Sequence, residues 1–353
     1  MANEIRSHRH TAVRTSAIAV VVALTCGLAA QQESAPAPLG KLVDIDSYRI
    51  HLNCTGKGQP TVLLSPGAGD FSFDWFLVQQ EIGKFIRVCS YDRAGSAWSD
   101  PGPQPLTMKQ ESFELYTALE HAGERGPYVL VGQSLGGLVM RVFADRYPKD
   151  TAGMVLVDAT SPDTILSLNG KLVRMRELAQ SRRIPDIQTM QSSPPRPPTA
   201  EELKQWDDFQ KQRGESQLEA PFDRLPPKIQ KLQRWASSLP PRAASSDNYL
   251  AEELEQMYAQ LRRVPVPLDE KPLITIVAGR ADPPPNGVNQ EQWAALISEK
   301  IDQKRGFAKL SRNGKVVFDE DAGHRIQLDD PNIVINAIRN VGTAYGKHIR
   351  LSP

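Results

Sequence analysis

Apolar and polar positions alternate along the chain in two distinct rhythms. From residue 42 to 53, apolar side chains fall at Val43, Ile45, Tyr48, Ile50 and Leu52, which predicts an opening strand pair. Four nearly continuous apolar runs follow, at 61–64, 85–91, 128–131 and 154–157. Runs of this kind suit strands buried on both faces of a parallel sheet. Between them, residues 109–122 place Phe113, Tyr116, Leu119 and Ala122 near helical spacing, and a second helical segment, 138–147, directly follows the 128–131 run. Strand and helix in turn predict an α/β fold with a mostly parallel, doubly wound sheet.

The rhythm breaks at Ser161. The next 112 residues, 161–272, hold 14 of the 28 prolines and contain no apolar strand run. Helical pieces are predicted over 171–180, 200–212, 229–237 and 250–262, and Thr199 with Glu202 forms a capping box. A structureless loop of this length is at odds with a compact domain, so the segment is read as an inserted helical cap with proline-rich joints. Strand periodicity resumes at 273–277, followed by a helix at 290–300 and a short strand at 316–318. Asp330-Pro331 then opens a closing helix whose buried stripe is Val334, Ile338 and Val341. The core is thus expected in two parts, 41–160 and 273–353, with the cap at 161–272 between them.

Residues 1–30 follow a different pattern. Arg6, Arg9 and Arg14 precede an uncharged apolar run from 17 to 30, shorter than the roughly 20 residues of a spanning helix. Small residues at Gly27 and Ala29 fit a cleavage site, and the polar Gln31-Gln32-Glu33-Ser34 follows. This predicts a secretory signal peptide over 1–30, a linker over 31–40 and an exported protein, with an uncleaved membrane anchor as the competing reading. Across 353 residues, 42 Lys+Arg stand against 41 Asp+Glu, a net charge of +1. That balance exerts no global pull toward nucleic acid. Once Cys26 leaves with the leader, Cys54 and Cys89 remain, with no Cys-x-x-Cys and no histidine cluster at metal spacing. No metal is expected.

Candidate chemistry centres on Gly132-Gln133-Ser134-Leu135-Gly136, at the junction of a strand and a helix. A sharp turn there strains Ser134, lifts its hydroxyl clear of the sheet and aims a helix N-terminus at it. A serine hydroxyl needs a base. Of six histidines, His324 stands in the loop after the last strand, on the sheet edge where α/β active sites open. The imidazole in turn needs an acid. Asp282, in the Gly279-turned loop after the 273–277 strand, is the preferred partner, and Asp158, directly after the 154–157 strand, is the competitor. Two backbone donors should hold an oxyanion, assigned to Leu135 N–H and to Ala68 N–H in Pro66-Gly67-Ala68-Gly69.

These motifs, together with the Tyr91–Asp100 stretch, Gly279–Asp282 and Gly323-His324, resemble the cap-bearing serine branch of the α/β-hydrolase superfamily. The likeness covers 41–160 and 270–345. Pro66-Gly67 stands where many relatives have His-Gly. The resemblance implies a sheet of about eight strands and an exported serine hydrolase that cleaves a small-molecule carboxylic ester through an acyl-enzyme, without a cofactor. An amidase or peptidase using the same residues, or a non-catalytic ligand-binding protein on the same fold, are the alternatives. In the implied sheet order the strands of Cys54 and Cys89 are neighbours, which makes a disulfide between them an expectation. Asp92 and Arg93 are expected to brace loops near the site, and Trp98 is a candidate substrate contact.

Overall fold

A computed structural model describes residues 35–168, 171–180, 192–213, 218, 220–243 and 249–352. The expected signal peptide at 1–30 lies outside them. Among the described residues, no helix is long and apolar enough to cross a membrane.

Within the compact unit of residues 38–353, β1 (Lys41–Asp44), β2 (Arg49–Thr55) and β3 (Thr61–Ser65) are followed by α1 (Phe76–Ile82), β4 (Val88–Tyr91) and α2 (Met108–His121). Next come β5 (Tyr128–Gln133), α3 (Leu135–Arg146) and β6 (Thr151–Val157). The 161–272 segment carries β7 (Ile165–Leu168), β8 (Lys171–Arg174), α4 (Met175–Gln180), α5 (Ala200–Arg213), α6 (Pro227–Ser238) and α7 (Leu250–Arg263). The core resumes with β9 (Leu273–Ala278), α8 (Gln290–Gly306), β10 (Gly314–Asp319), α9 (Ile326–Asp329) and α10 (Pro331–Lys347).

Eight strands form one sheet in the order β1-β2-β4-β3-β5-β6-β9-β10. The two pairings of β2 are antiparallel and the rest are parallel. Successive residues of the central strands feed opposite faces, as the strand period requires. Leu130 and Leu156 join the cluster that packs under α2 and α3, while Val129 and Val155 join the one under α1 and α10. Both faces are covered, which is why these strands read as continuous apolar runs.

One expectation about the insert is corrected. The sequence predicts helix from residue 171, but Lys171–Arg174 pairs antiparallel with Ile165–Leu168, and the helix starts at Met175. Four residues of helical pattern are too few to fix a helix start against strand pairing upstream. The other three helices of the 161–272 segment match to within two residues at each end. The segment is tied to the rest of the chain at several points. Arg242 donates to the carbonyls of Ala97 and Ser99, at 2.9 and 2.6 Å, and Arg224 reaches the Leu328 carbonyl. Trp235 of α6 packs against Trp98, ring centroids 5.0 Å apart.

Cys54 and Cys89 face each other in the β2–β4 register and form a disulfide, with Cα atoms 4.0 Å apart. The directly opposed register gives both side chains the same face of the sheet, the condition for bridging.

Candidate active site

The tight turn between β5 and α3 is held from both sides. Ser134 N–H donates to Val157 O at 3.2 Å, and the Ser134 carbonyl accepts from Thr160 and Gly137 N–H, both at 3.0 Å. Ser134 sits at φ 51°, ψ −121°, a strained conformation for a residue with a Cβ. The flanking glycines make the turn feasible. A Cβ at position 132 would stand 2.3 Å from the Gly136 carbonyl oxygen, and one at 136 would stand 2.4 Å from that of Ser65. The same close approach sets the end of β3 beside the N-terminus of α3.

Ser134, Asp158, Thr160 and His324 share the wall of a cavity of about 240 Å³ at the carboxyl edge of the sheet. His324 Nδ1 lies 2.6 Å from Asp158 Oδ2, and its side chain is 43% exposed. Nε2 is thereby the nitrogen left for proton exchange. Ser134 Oγ lies 3.4 Å from Thr160 Oγ1 and makes no hydrogen bond to His324. His51 also meets an aspartate, Asp92, at 2.8 Å, but that pair is 0% exposed and has no access to a substrate.

The preferred acid of the sequence reading is thus corrected. Asp158 is the aspartate that contacts His324, and Asp282 makes no hydrogen bond or ion pair to it. Asp282 lies exposed in the loop after β9, four residues past the last strand position, where its carbonyl accepts from Trp293 Nε1 at 2.7 Å. Asp158 directly follows β6 at φ 42°, 2% exposed, with its N–H donating to Ile276 O at 2.8 Å. Three donors converge on its carboxylate. Ala278 N–H donates to Oδ1 at 3.1 Å, and Lys304 Nζ joins His324 on Oδ2, also at 2.6 Å. Burial acts to raise the Asp158 pKa. The His324 hydrogen bond and the Lys304 charge outweigh it and hold the carboxyl below its ordinary range.

The two oxyanion candidates lie at the start of α3 and in the turn after β3. Leu135 is the first residue of α3, so its N–H has no intrahelical acceptor. Ala68 is exposed in the turn after β3. Arg93 is buried, paired with Glu111 at 2.8 Å, and donates to the Pro66 and Gly67 carbonyls. These bonds draw the carbonyls of the turn to one side. Asp92 accepts from Ser72 N–H at 2.7 Å. Trp98 is not a wall of the Ser134 cavity, since it lies buried between His51, Phe73 and Trp235.

Several supporting residues were not legible in the sequence. Gln133 Nε2 donates to the His324 carbonyl at 3.0 Å, and Arg325 pairs with Asp70 at 2.9 Å. Both contacts tie the histidine loop to the strand ends beside it. Gln133 at least lies inside the Gly-x-Ser-x-Gly string. Lys304 is 146 residues from its partner and carries no local signal. Lys300, whose pKa is lowered by burial and by the Lys304 charge, also lines the cavity.

Comparison with known proteins agrees with this architecture. An uncharacterised protein of Schizosaccharomyces pombe is 31% identical over 160 residues, covering 37% of this chain and 30% of that one. An AB hydrolase superfamily protein of Gibberella zeae is 30% identical over 114 residues, covering 31% of this chain and 35% of that one. The chain therefore spans about a third of the length of these two curated relatives. Among solved structures, an enol-lactonase from Burkholderia xenovorans aligns with a TM-score of 0.52 at 16% identity, covering 86% of this chain and 100% of that one. A hydrolase from Pseudomonas aeruginosa aligns at 0.51 with 18% identity, covering 85% and 96%. These structural likenesses establish the fold. The sequence profile of the alpha/beta hydrolase family matches residues 62–337, a span that runs from β3 through the elbow and His324 into the last helix. The chain belongs to the alpha/beta hydrolase family.

Proposed function

We propose that the protein is an exported serine hydrolase that cleaves a carboxylic ester through an acyl-enzyme, with Ser134, His324 and Asp158 as its triad. The observation that carries this reading is the strained Ser134 elbow sharing a cavity with His324, whose far nitrogen is held by Asp158 at 2.6 Å. Ser134 Oγ attacks the carbonyl carbon while His324 Nε2 takes its proton. Asp158 fixes the tautomer and stabilises the imidazolium as it forms. Leu135 and Ala68 N–H groups receive the developing oxyanion. His324 then protonates the departing alkoxide, and water repeats both steps on the acyl-enzyme to release the acid.

Membership of the family supports hydrolytic chemistry. A serine at the elbow supports an acyl-enzyme over the alkyl-enzyme that an aspartate there would form. The cavity of about 240 Å³ is smaller than most drug-sized ligand sites, about 300–1,000 Å³, which favours a compact acyl group. Export is supported by the basic-then-apolar order of residues 1–30 and agrees with the Cys54–Cys89 bridge, which suits an oxidising compartment.

The test is fluorophosphonate labelling combined with turnover of a panel of acyl esters and amides. Ser134→Ala should abolish labelling and lower ester turnover by about 10³-fold or more while the fold persists. Activity retained at about a tenth of wild type would reject the mechanism.

A further inference from the structure

Away from Ser134, helices α2, α3 and α7 enclose a second cavity of about 550 Å³. That volume lies within the range of small-molecule sites, about 300–1,000 Å³. Met108, Met154, Met257 and Leu261 supply much of its apolar wall. It shares no lining residue with the Ser134 cavity.

Arg141, two turns along α3 from the elbow, is the unusual residue here. Its Nη1 is buried and has no hydrogen-bond partner, and the guanidinium makes no ion pair among the described residues. The guanidinium carbon stands over a ring face, 5.4 Å from the centroid of Phe307. Burial lowers its pKa to about 10, and no carboxylate acts against that shift.

The two carboxylates in the wall are engaged elsewhere. Asp145 accepts from Gln260 Nε2 at 2.9 Å. Glu253 accepts the Met108 backbone N–H at 2.7 Å, at the first turn of α2, and burial pushes its pKa up to about 7. Arg141, Lys109, Arg146 and Arg263 outnumber these two acids around the cavity. Arg141 lines the cavity with no carboxylate to offset its charge, and an uncompensated buried charge is costly. A carboxylate matches its planar donor fork, and methionine walls adapt to an apolar chain.

We propose that this cavity is a binding site for an organic carboxylate with an apolar chain, its carboxylate seated on Arg141. The proposal is independent of the hydrolytic reading and is tested on full-length protein carrying Ser134→Ala, so turnover cannot contribute. Isothermal titration with octanoate should show one bound molecule per chain, with the neutral octanamide binding about tenfold more weakly or worse, since one charged hydrogen bond is worth at least that factor. Arg141→Met should remove this preference and weaken octanoate by a similar factor. Octanoate affinity unchanged in Arg141→Met, or no octanoate binding at about 1 mM, overturns the proposal. Should Arg141→Met fail to fold, Ala259→Trp decides, because it fills the cavity from α7 and leaves Arg141 in place. Loss of octanoate binding there supports the site, and retained binding overturns it.

Discussion

Replacing Asp158 by Asn tests the assignment of the acid most directly. His324 Nδ1 and Lys304 Nζ both donate to Oδ2 at 2.6 Å, while Ala278 N–H donates to Oδ1 at 3.1 Å. Every neighbour is a donor, and an asparagine has only one acceptor oxygen. With that oxygen on Ala278 N–H, the amide NH₂ faces His324 and Lys304. Flipped, it accepts from them but loses the backbone bond and has no charge to offer an imidazolium. The expected loss in kcat is about 10³–10⁴-fold, the scale for a histidine held in the wrong tautomer, or about 4–5 kcal/mol of transition-state stabilisation. Lys304, 17% exposed, also loses its counter-charge. This costs about 3 kcal/mol of stability, the low end for breaking a buried pair because some water reaches the ammonium. The assay is kcat and KM on a short-chain p-nitrophenyl ester, with thermal melting alongside. Asp282→Asn, at an exposed position, should alter stability by no more than about 0.5 kcal/mol and leave kcat close to wild type. If Asp282→Asn proves severe and Asp158→Asn mild, the acid has been assigned to the wrong strand.

Glu114 accepts from Tyr48 Oη at 2.6 Å, yet burial pushes its pKa up to about 7. The folded state therefore holds this proton more tightly than the unfolded chain, and stability should fall as pH rises from about 4.3 to about 7, by roughly 3 kcal/mol in all. Denaturant titrations at pH 5 and pH 8 should show Glu114→Gln losing part of the carboxylate-linked decline, to which the likewise raised Glu253 and Asp74 also contribute. Replacing both Cys54 and Cys89 by Ser opens a loop with a sequence separation of 35. It should destabilise the protein by about 4 kcal/mol on the chain-entropy model, read as a lower midpoint in denaturant, and an unchanged midpoint would contradict the bridge.

The sequence was most legible where function imposes a local pattern. The Gly132–Gly136 elbow announces itself because a serine lifted from a tight turn needs small residues on both sides, and the structure shows the carbonyls that would collide with larger ones. The central strands were legible because both of their faces are covered. The aspartate that meets His324 was misread for a non-local reason. Asp158 and Asp282 each follow a strand on the same edge, and only three-dimensional reach separates them. The decisive features are the left-handed backbone at Asp158 and the arrival of Lys304 from α8, neither encoded near residue 158. The β7–β8 hairpin escaped notice because two four-residue strands carry too little periodicity to outweigh a helical pattern that continues beyond them.

With the partner of His324 supplied by β6, the loop after β9 is relieved of a precise task. Gly279 and Arg280 are still pinned by backbone bonds to Asp319 and Ala322. Ala281 and Asp282 then form part of the rim of the Ser134 cavity before the chain runs through Pro283, Pro284 and Pro285 toward α8. Substitutions at Ala281 and Asp282 should change this rim while leaving the His324–Asp158 contact in place. If the proposed hydrolysis takes place in this cavity, the rim is its threshold, and diversifying these few positions should alter which molecules are admitted more than it alters the chemistry inside.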